Sequence, residues 1–205
     1  MLLDQDESQL VLVDYQTRLL PALFEGPQVI ANAIRLGKIA QLLGVPCIGT
    51  EQNPDKLGQN LLEIRALCSQ TFEKMHFSAC AEGLIEVLRP ELAPRKPQGG
   101  GNARSLPKHL QRAPEPEESG HNTIVIAGCE AHVCLLQTAL ELLEAEFEVW
   151  VVTDACTSRT ERNRDAAFDR LAGVGAELVT TEMVAFEWLR TAEHDMFKAV
   201  HGLVK

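Results

Sequence analysis

Short apolar runs alternate along this chain with segments of helical periodicity, and that alternation restricts the fold more than any other feature. Leu10–Val13 is wholly apolar between polar neighbours, and Thr123–Ala127 is nearly so. Runs this continuous suit strands covered on both faces, as in parallel sheets. Gln28–Leu43 sets Ile30, Ile34, Leu36, Ile39 and Leu43 at helical spacing and stops at Gly44. Pro46–Gly49, Thr71–Lys74, Val149–Val152 and Glu177–Val179 bring the predicted strands to six. Further helices are predicted over Leu84–Leu88 (halted by Pro90), Val133–Glu144, Asn163–Leu171, Met183–Leu189 and His194–Leu203. Ser158-Arg-Thr-Glu161 has the form of a capping box that opens the helix after the fifth strand. Strands separated by helices predict an α/β, doubly wound (Rossmann-like) three-layer sandwich. Its mainly parallel six-stranded sheet is expected in the order 3-2-1-4-5-6.

The 205 residues suit one domain spanning 1–205. The pattern lapses between Glu91 and His121, where Pro94, Pro97, Gly99–Gly101, Pro107, Pro114 and Pro116 crowd a stretch with few apolar residues. This reads as a long loop or insertion. A net charge of −10 argues against a general nucleic-acid or anionic-membrane surface. No apolar run approaches the ~18 residues of a membrane span. The opening Met-Leu-Leu-Asp-Gln-Asp lacks the basic-then-apolar form of a secretory leader. Six cysteines (47, 68, 80, 129, 134, 156) show neither CxxC pairs nor a zinc spacing. Free thiols in a reducing cytoplasm are therefore expected.

In open α/β sheets, ligands bind beyond the carboxyl ends of the strands, where the strand order reverses. The first strand ends in Asp14-Tyr-Gln16, the third in Lys74, and the fourth leads through a tight turn to Cys134. Cys134 is placed in the first turn of a helix, where unpaired N–H groups and the helix dipole favour an anion and would ease loss of the thiol proton. Taken singly, each has a plainer reading: Cys134 as a small buried hydrophobe, Asp14 as a turn cap, Lys74 as an exposed strand end. Taken together they supply a nucleophile, a proton carrier and a cation to hold a thiolate. In the expected order Lys74 starts two strands from Asp14, roughly 10 Å at ~4.8 Å per strand, a gap its long stem has to cross.

Asp14-Tyr-Gln16, Lys74 with Phe77-Ser78, and Gly128-Cys-Glu-Ala-His-Val-Cys134 with Gln137-Thr-Ala139 resemble the signature of isochorismatase-like cysteine hydrolases. Val152-Thr-Asp-Ala155 with Ser158 and Arg159 fits the same pattern. The resemblance runs from Leu10 to the final Leu-Val-Lys, the Pro/Gly-rich stretch being the main exception. It implies a catalytic triad of Asp14, Lys74 and Cys134. It also implies a cis peptide between Cys129 and Glu130, and an oxyanion hole made by the N–H groups of Glu130 and Cys134.

Family members that hydrolyse nicotinamide place an aspartate and two histidines after the second strand to bind a metal. Here the stretch reads Thr50-Glu-Gln-Asn-Pro-Asp-Lys-Leu-Gly58, without histidine. Glu51 and Asp55 then read as solvated loop carboxylates, and no metal or other cofactor is expected. True isochorismatases act on a vinyl ether without a nucleophilic cysteine, so the presence of Cys134 points instead to an amide or related C–N substrate. Gln16, His76, Phe77 and His132 are candidate substrate contacts, with a structural role as the alternative for His132. Cys47, Cys129 and Cys156 read as packing, and Leu135, Leu136, Ala139, Leu140 and Leu143 as core. The resemblance implies a small-molecule substrate and a homo-oligomer. A non-catalytic binding or scaffold protein, and a redox-responsive thiol protein with Cys129 or Cys156 near Cys134, are the competing readings.

Overall fold

A computed structural model describes residues 1–90 and 122–205; the predicted insertion at 91–121 lies outside the described residues. Six parallel strands form one sheet in the order β3-β2-β1-β4-β5-β6. They are β1 (Ser8–Val13), β2 (Cys47–Gln52), β3 (Gln70–Lys74), β4 (Thr123–Gly128), β5 (Glu148–Val152) and β6 (Glu177–Val179). The helices are α1 (Gly26–Leu43), α2 (Pro54–Leu57), α3 (Leu62–Arg65), α4 (Leu84–Leu88), α5 (Leu136–Glu144), α6 (Glu161–Gly173), α7 (Thr181–Leu189) and α8 (Phe197–Val204). The fold class and strand order are those expected from the alternation.

The continuous apolar runs are the two central strands. Leu10, Val11, Leu12 and Val13 of β1 and Ile124, Val125, Ile126 and Ala127 of β4 are all fully buried, whichever face they point to. Burying an aliphatic side chain contributes about 1.5–3 kcal/mol, so these two strands anchor the core. Helix α1 turns Val29, Ala33, Leu36, Ile39 and Ala40 onto the sheet and ends at Gly44, whose φ of 76° suits glycine. Winding reverses between β1 and β4, and right-handed crossovers then put the helices of the two halves on opposite faces. Accordingly α1 packs with α7 and α8, and α5 packs with α6.

Three local departures from the sequence reading matter for the site. Strand β2 runs to Gln52, three residues beyond the predicted end, because its polar tail is partnered inside the protein. Glu51 is thus a buried carboxylate, correcting the solvated-loop reading: it accepts from the Asn60 N–H at 2.9 Å and pairs with Arg65 at 3.6 Å. Asp55 is exposed, as expected. The helix predicted from Val133 begins instead as a π-turn over Ala131–Leu135, with α5 following it. The N-cap of α6 is Thr160, whose hydroxyl accepts from the Asn163 N–H; Ser158, the predicted cap, is buried beside His132.

Candidate active site

Asp14, Lys74 and Cys134 meet at the carboxyl edge of the sheet, where β3, β2, β1 and β4 end side by side. Asp14 follows β1 in the left-handed conformation, φ 54°, which aspartate tolerates better than most residues. Its N–H donates to the Thr50 carbonyl at 3.1 Å, and its Oδ1 accepts from the Thr50 hydroxyl at 2.7 Å. Lys74 closes β3 directly across from Gln52 of β2. The lysine stem does cross that strand: Nζ lies 2.8 Å from Asp14 Oδ2, with both side chains 0% exposed. Nζ also donates to Gln52 Oε1 at 2.7 Å and to the Phe77 carbonyl at 3.0 Å. A cation wholly removed from water is thus matched by one carboxylate and neutral acceptors, as burial of a charge demands.

The Cys134 Sγ is 3.9 Å from Gln52 Oε1, and its titration responds to hydrogen bonds and charge from both Asp14 and Lys74. Here the expectation of an eased deprotonation is overturned. Burial, the largest cause, and then the Asp14 carboxylate push the thiol up to about 12, against a lowering pull from Lys74. Burial is the chief reason, and because Lys74 already faces Asp14 its pull on the thiol is offset by the carboxylate.

Glu130 follows Cys129 through a cis peptide bond. Its Oε2 accepts from the Arg159 N–H at 2.9 Å and from Arg159 Nε at 3.0 Å. Cys129 is fully buried, and its N–H donates to the Val13 carbonyl at 2.9 Å, continuing the β1–β4 ladder. Gly128 makes this junction possible: a Cβ there would lie 2.3 Å from the Val13 carbonyl oxygen.

The other candidates divide. Gln16 is fully buried, its amide donating to the Gln52 and Gly58 carbonyls and accepting from the Gln52 N–H, so it holds the end of β2. His76 is exposed and bonds Glu82 at 2.8 Å; Phe77 is 53% exposed beside the lysine it partners. His132 is half-buried, its Nδ1 2.9 Å from Ser158 Oγ and its Nε2 3.3 Å from Asn163 Nδ2. Gln52 escaped the sequence reading, although it contacts both Lys74 and Cys134. The available signal was its place at the end of the strand between those carrying Asp14 and Lys74. Among the described residues no three His, Cys, Asp or Glu side chains gather into a group that could hold a metal ion, and no helix is long and apolar enough to cross a membrane.

The family model for the Isochorismatase domain matches residues 114–183. Isochorismatase domain-containing protein 2A of Mus musculus is 32% identical over 200 residues, covering 98% of this chain and 84% of that protein. Isochorismatase domain-containing protein 2 of Bos taurus is 34% identical over 198 residues, covering 97% and 83%. With this fold and these matches, the chain belongs to the isochorismatase family. Among solved structures it is similar to the MAR1 ribonuclease of Caenorhabditis elegans (TM-score 0.81, 27% identity, 100% of this chain and 92% of that one). It is also similar to the YcaC gene product of Escherichia coli, described as an octameric hydrolase of unknown specificity (TM-score 0.80, 25% identity, 99% and 89%). The kinship is with a family that includes hydrolases.

Proposed function

We propose that the chain is a hydrolase that opens a small amide or related C–N bond through an acyl-enzyme on Cys134. The observation that carries this reading is the fully buried Lys74–Asp14 pair at 2.8 Å, set against the Cys134 thiol. A thiol pushed up to about 12 cannot ionise alone near neutrality. Transfer of its proton to Asp14 removes the carboxylate charge that opposes ionisation and leaves Lys74 facing the new thiolate. The site keeps one cation and one anion throughout; only the seat of the negative charge moves from oxygen to sulfur. That neutrality makes the transfer feasible without water.

The thiolate then attacks the carbonyl or imidoyl carbon. The developing oxyanion rests on the Glu130 and Cys134 N–H groups, donors of the kind that contribute strongly to acyl transfer. Asp14 returns the proton to the leaving nitrogen, and the amine departs. Asp14 next takes a proton from water, whose oxygen attacks the thioester; the acid is released and the proton returns to sulfur. Gln52 keeps Lys74 beside the reacting atoms, and Arg159 fixes the Glu130 side chain. The free state of all six cysteines suits a reducing cytoplasm, and the octameric E. coli relative supports a homo-oligomer.

An amide panel read by ammonia release, with intact-mass detection of an acyl adduct, tests the reading. Turnover and adduct are expected in the intact chain and absent in Cys134→Ala; turnover surviving that substitution refutes the nucleophile. Because a structural relative carries the name ribonuclease, RNA belongs in the same panel. The net charge of −10 opposes binding of a polyanion, so intact RNA is expected.

A further inference from the structure

We propose that Cys47 and Cys68 form a peroxide-oxidisable thiol pair, a modification site separate from Cys134, in which Cys68 is oxidised first and Cys47 closes the disulfide. Their sulfurs lie 3.8 Å apart. Cys47 opens β2 and is 5% exposed, whereas Cys68, in the turn between α3 and β3, is half-buried and so open to a small oxidant. The two backbones are already clamped together: the Ser69 N–H and hydroxyl both donate to the Cys47 carbonyl, at 2.8 and 2.9 Å. Gly49 leaves room for the sulfur, since a Cβ there would lie 3.0 Å from Cys68 Sγ.

The pair has a direction. The two sulfurs are in hydrogen-bond contact, with either able to donate, and Cys68 is the more exposed of the two. The more accessible sulfur is therefore the one that a peroxide reaches first. Cys156 accepts from the Gly128 N–H at 3.4 Å, and Cys129 is fully buried. The Cys47–Cys68 contact is at the opposite edge of the sheet from the triad. Cys47 and Gln52 bound β2, five residue steps or roughly 17 Å apart at ~3.3 Å per step.

The chemistry balances with hydrogen peroxide as the oxidant. The Cys68 thiolate displaces hydroxide from the peroxide and becomes a sulfenic acid. Cys47 sulfur attacks that sulfur and loses its proton, and the sulfenic oxygen leaves as water. Two thiols and one peroxide give one disulfide and two waters. Rotation of the side chains has to bring the sulfurs from 3.8 Å to about 2.05 Å.

The test exposes the full-length chain and its Cys134→Ala variant to one equivalent of hydrogen peroxide. Alkylation in denaturant and non-reducing peptide mapping follow. The expected result is a linked Cys47–Cys68 peptide and the loss of two alkylatable thiols in both proteins. With Cys47→Ser, dimedone is expected to label Cys68; with Cys68→Ser, neither a disulfide nor a label at Cys47 is expected. A Cys68 that alkylates fully after peroxide, or that is found linked to another cysteine, overturns the proposal. The mapping of the unsubstituted chain decides the question even if a serine variant fails to fold. Its outcome is independent of whether Cys134 is a hydrolytic nucleophile.

Discussion

Replacing Lys74 with methionine isolates what the buried ion pair does. The substitution keeps an unbranched apolar stem and removes the ammonium group, which lies 2.8 Å from Asp14 Oδ2 with both side chains 0% exposed. Asp14 is left with the Thr50 hydroxyl at 2.7 Å and no cation to match its charge; Gln52 Oε1 and the Phe77 carbonyl lose their donor. Breaking a buried pair by deleting one partner costs about 3–5 kcal/mol, chiefly because the surviving charge stays desolvated. With a urea m-value of about 2 kcal/mol/M, the unfolding midpoint should fall by roughly 1.5–2.5 M. The control is Asp14→Asn combined with Lys74→Met. Asparagine tolerates the left-handed backbone at position 14, and the double variant buries no charge. It should be more stable than Lys74→Met alone, by about 2 kcal/mol, whereas independent effects would add. A cost under about 1 kcal/mol for Lys74→Met, or a double variant weaker than either single one, refutes the account of a tightly coupled buried pair.

Gly128→Ala should destabilise by about 3 kcal/mol or more, since its Cβ would strike the Val13 carbonyl at 2.3 Å and φ is +156°; a wild-type urea midpoint would contradict this. Thr160→Ala should cost about 1 kcal/mol through loss of the α6 cap, while Ser158→Ala should leave the helicity of α6 intact by circular dichroism. Burial pushes the Cys80, Cys134 and Cys156 thiols up to about 12, so the folded chain holds these protons more tightly than the unfolded one. Their contribution is complete below the ordinary thiol value and is lost as pH rises from about 9 towards 12, at about 1.4 kcal/mol per thiol per pH unit. Urea midpoints at pH 8 and pH 10 measure the loss, and equal midpoints would exclude it. For the same reason, iodoacetamide should label Cys134 slowly at pH 8 and faster as pH rises; a rate already at its plateau at pH 8 would contradict the buried-thiol geometry.

Much of the fold was readable because burial leaves a local signature. Leu10–Val13 and Ile124–Ala127 are continuous apolar runs because both faces of β1 and β4 are covered, and a doubly wound sheet follows from helices between parallel strands. Boundaries were less readable where polar residues are paid for by partners far along the chain. Glu51 and Gln52 look like a loop until Asn60, Arg65, Gln16 and Lys74 are seen around them. The capping residue slipped by two positions because Ser158 and Thr160 are both good caps, and contact with His132 decides between them.

The sequence alone determined which side chains stand at the carboxyl edge: Asp14 and Cys134 follow from where apolar runs stop, and Lys74 from the end of the mixed Thr71–Lys74 segment, all properties of neighbours along the chain. Only the tertiary structure decided how their charges divide. That Lys74 spans β2 to meet Asp14, that Gln52 braces it, and that burial lifts the Cys134 thiol depend on residues brought together from separate strands. The contact between Cys47 and Cys68 is of the same kind. Periodicity records which residues leave water, but a buried charge or thiol takes its chemistry from whatever it faces once there.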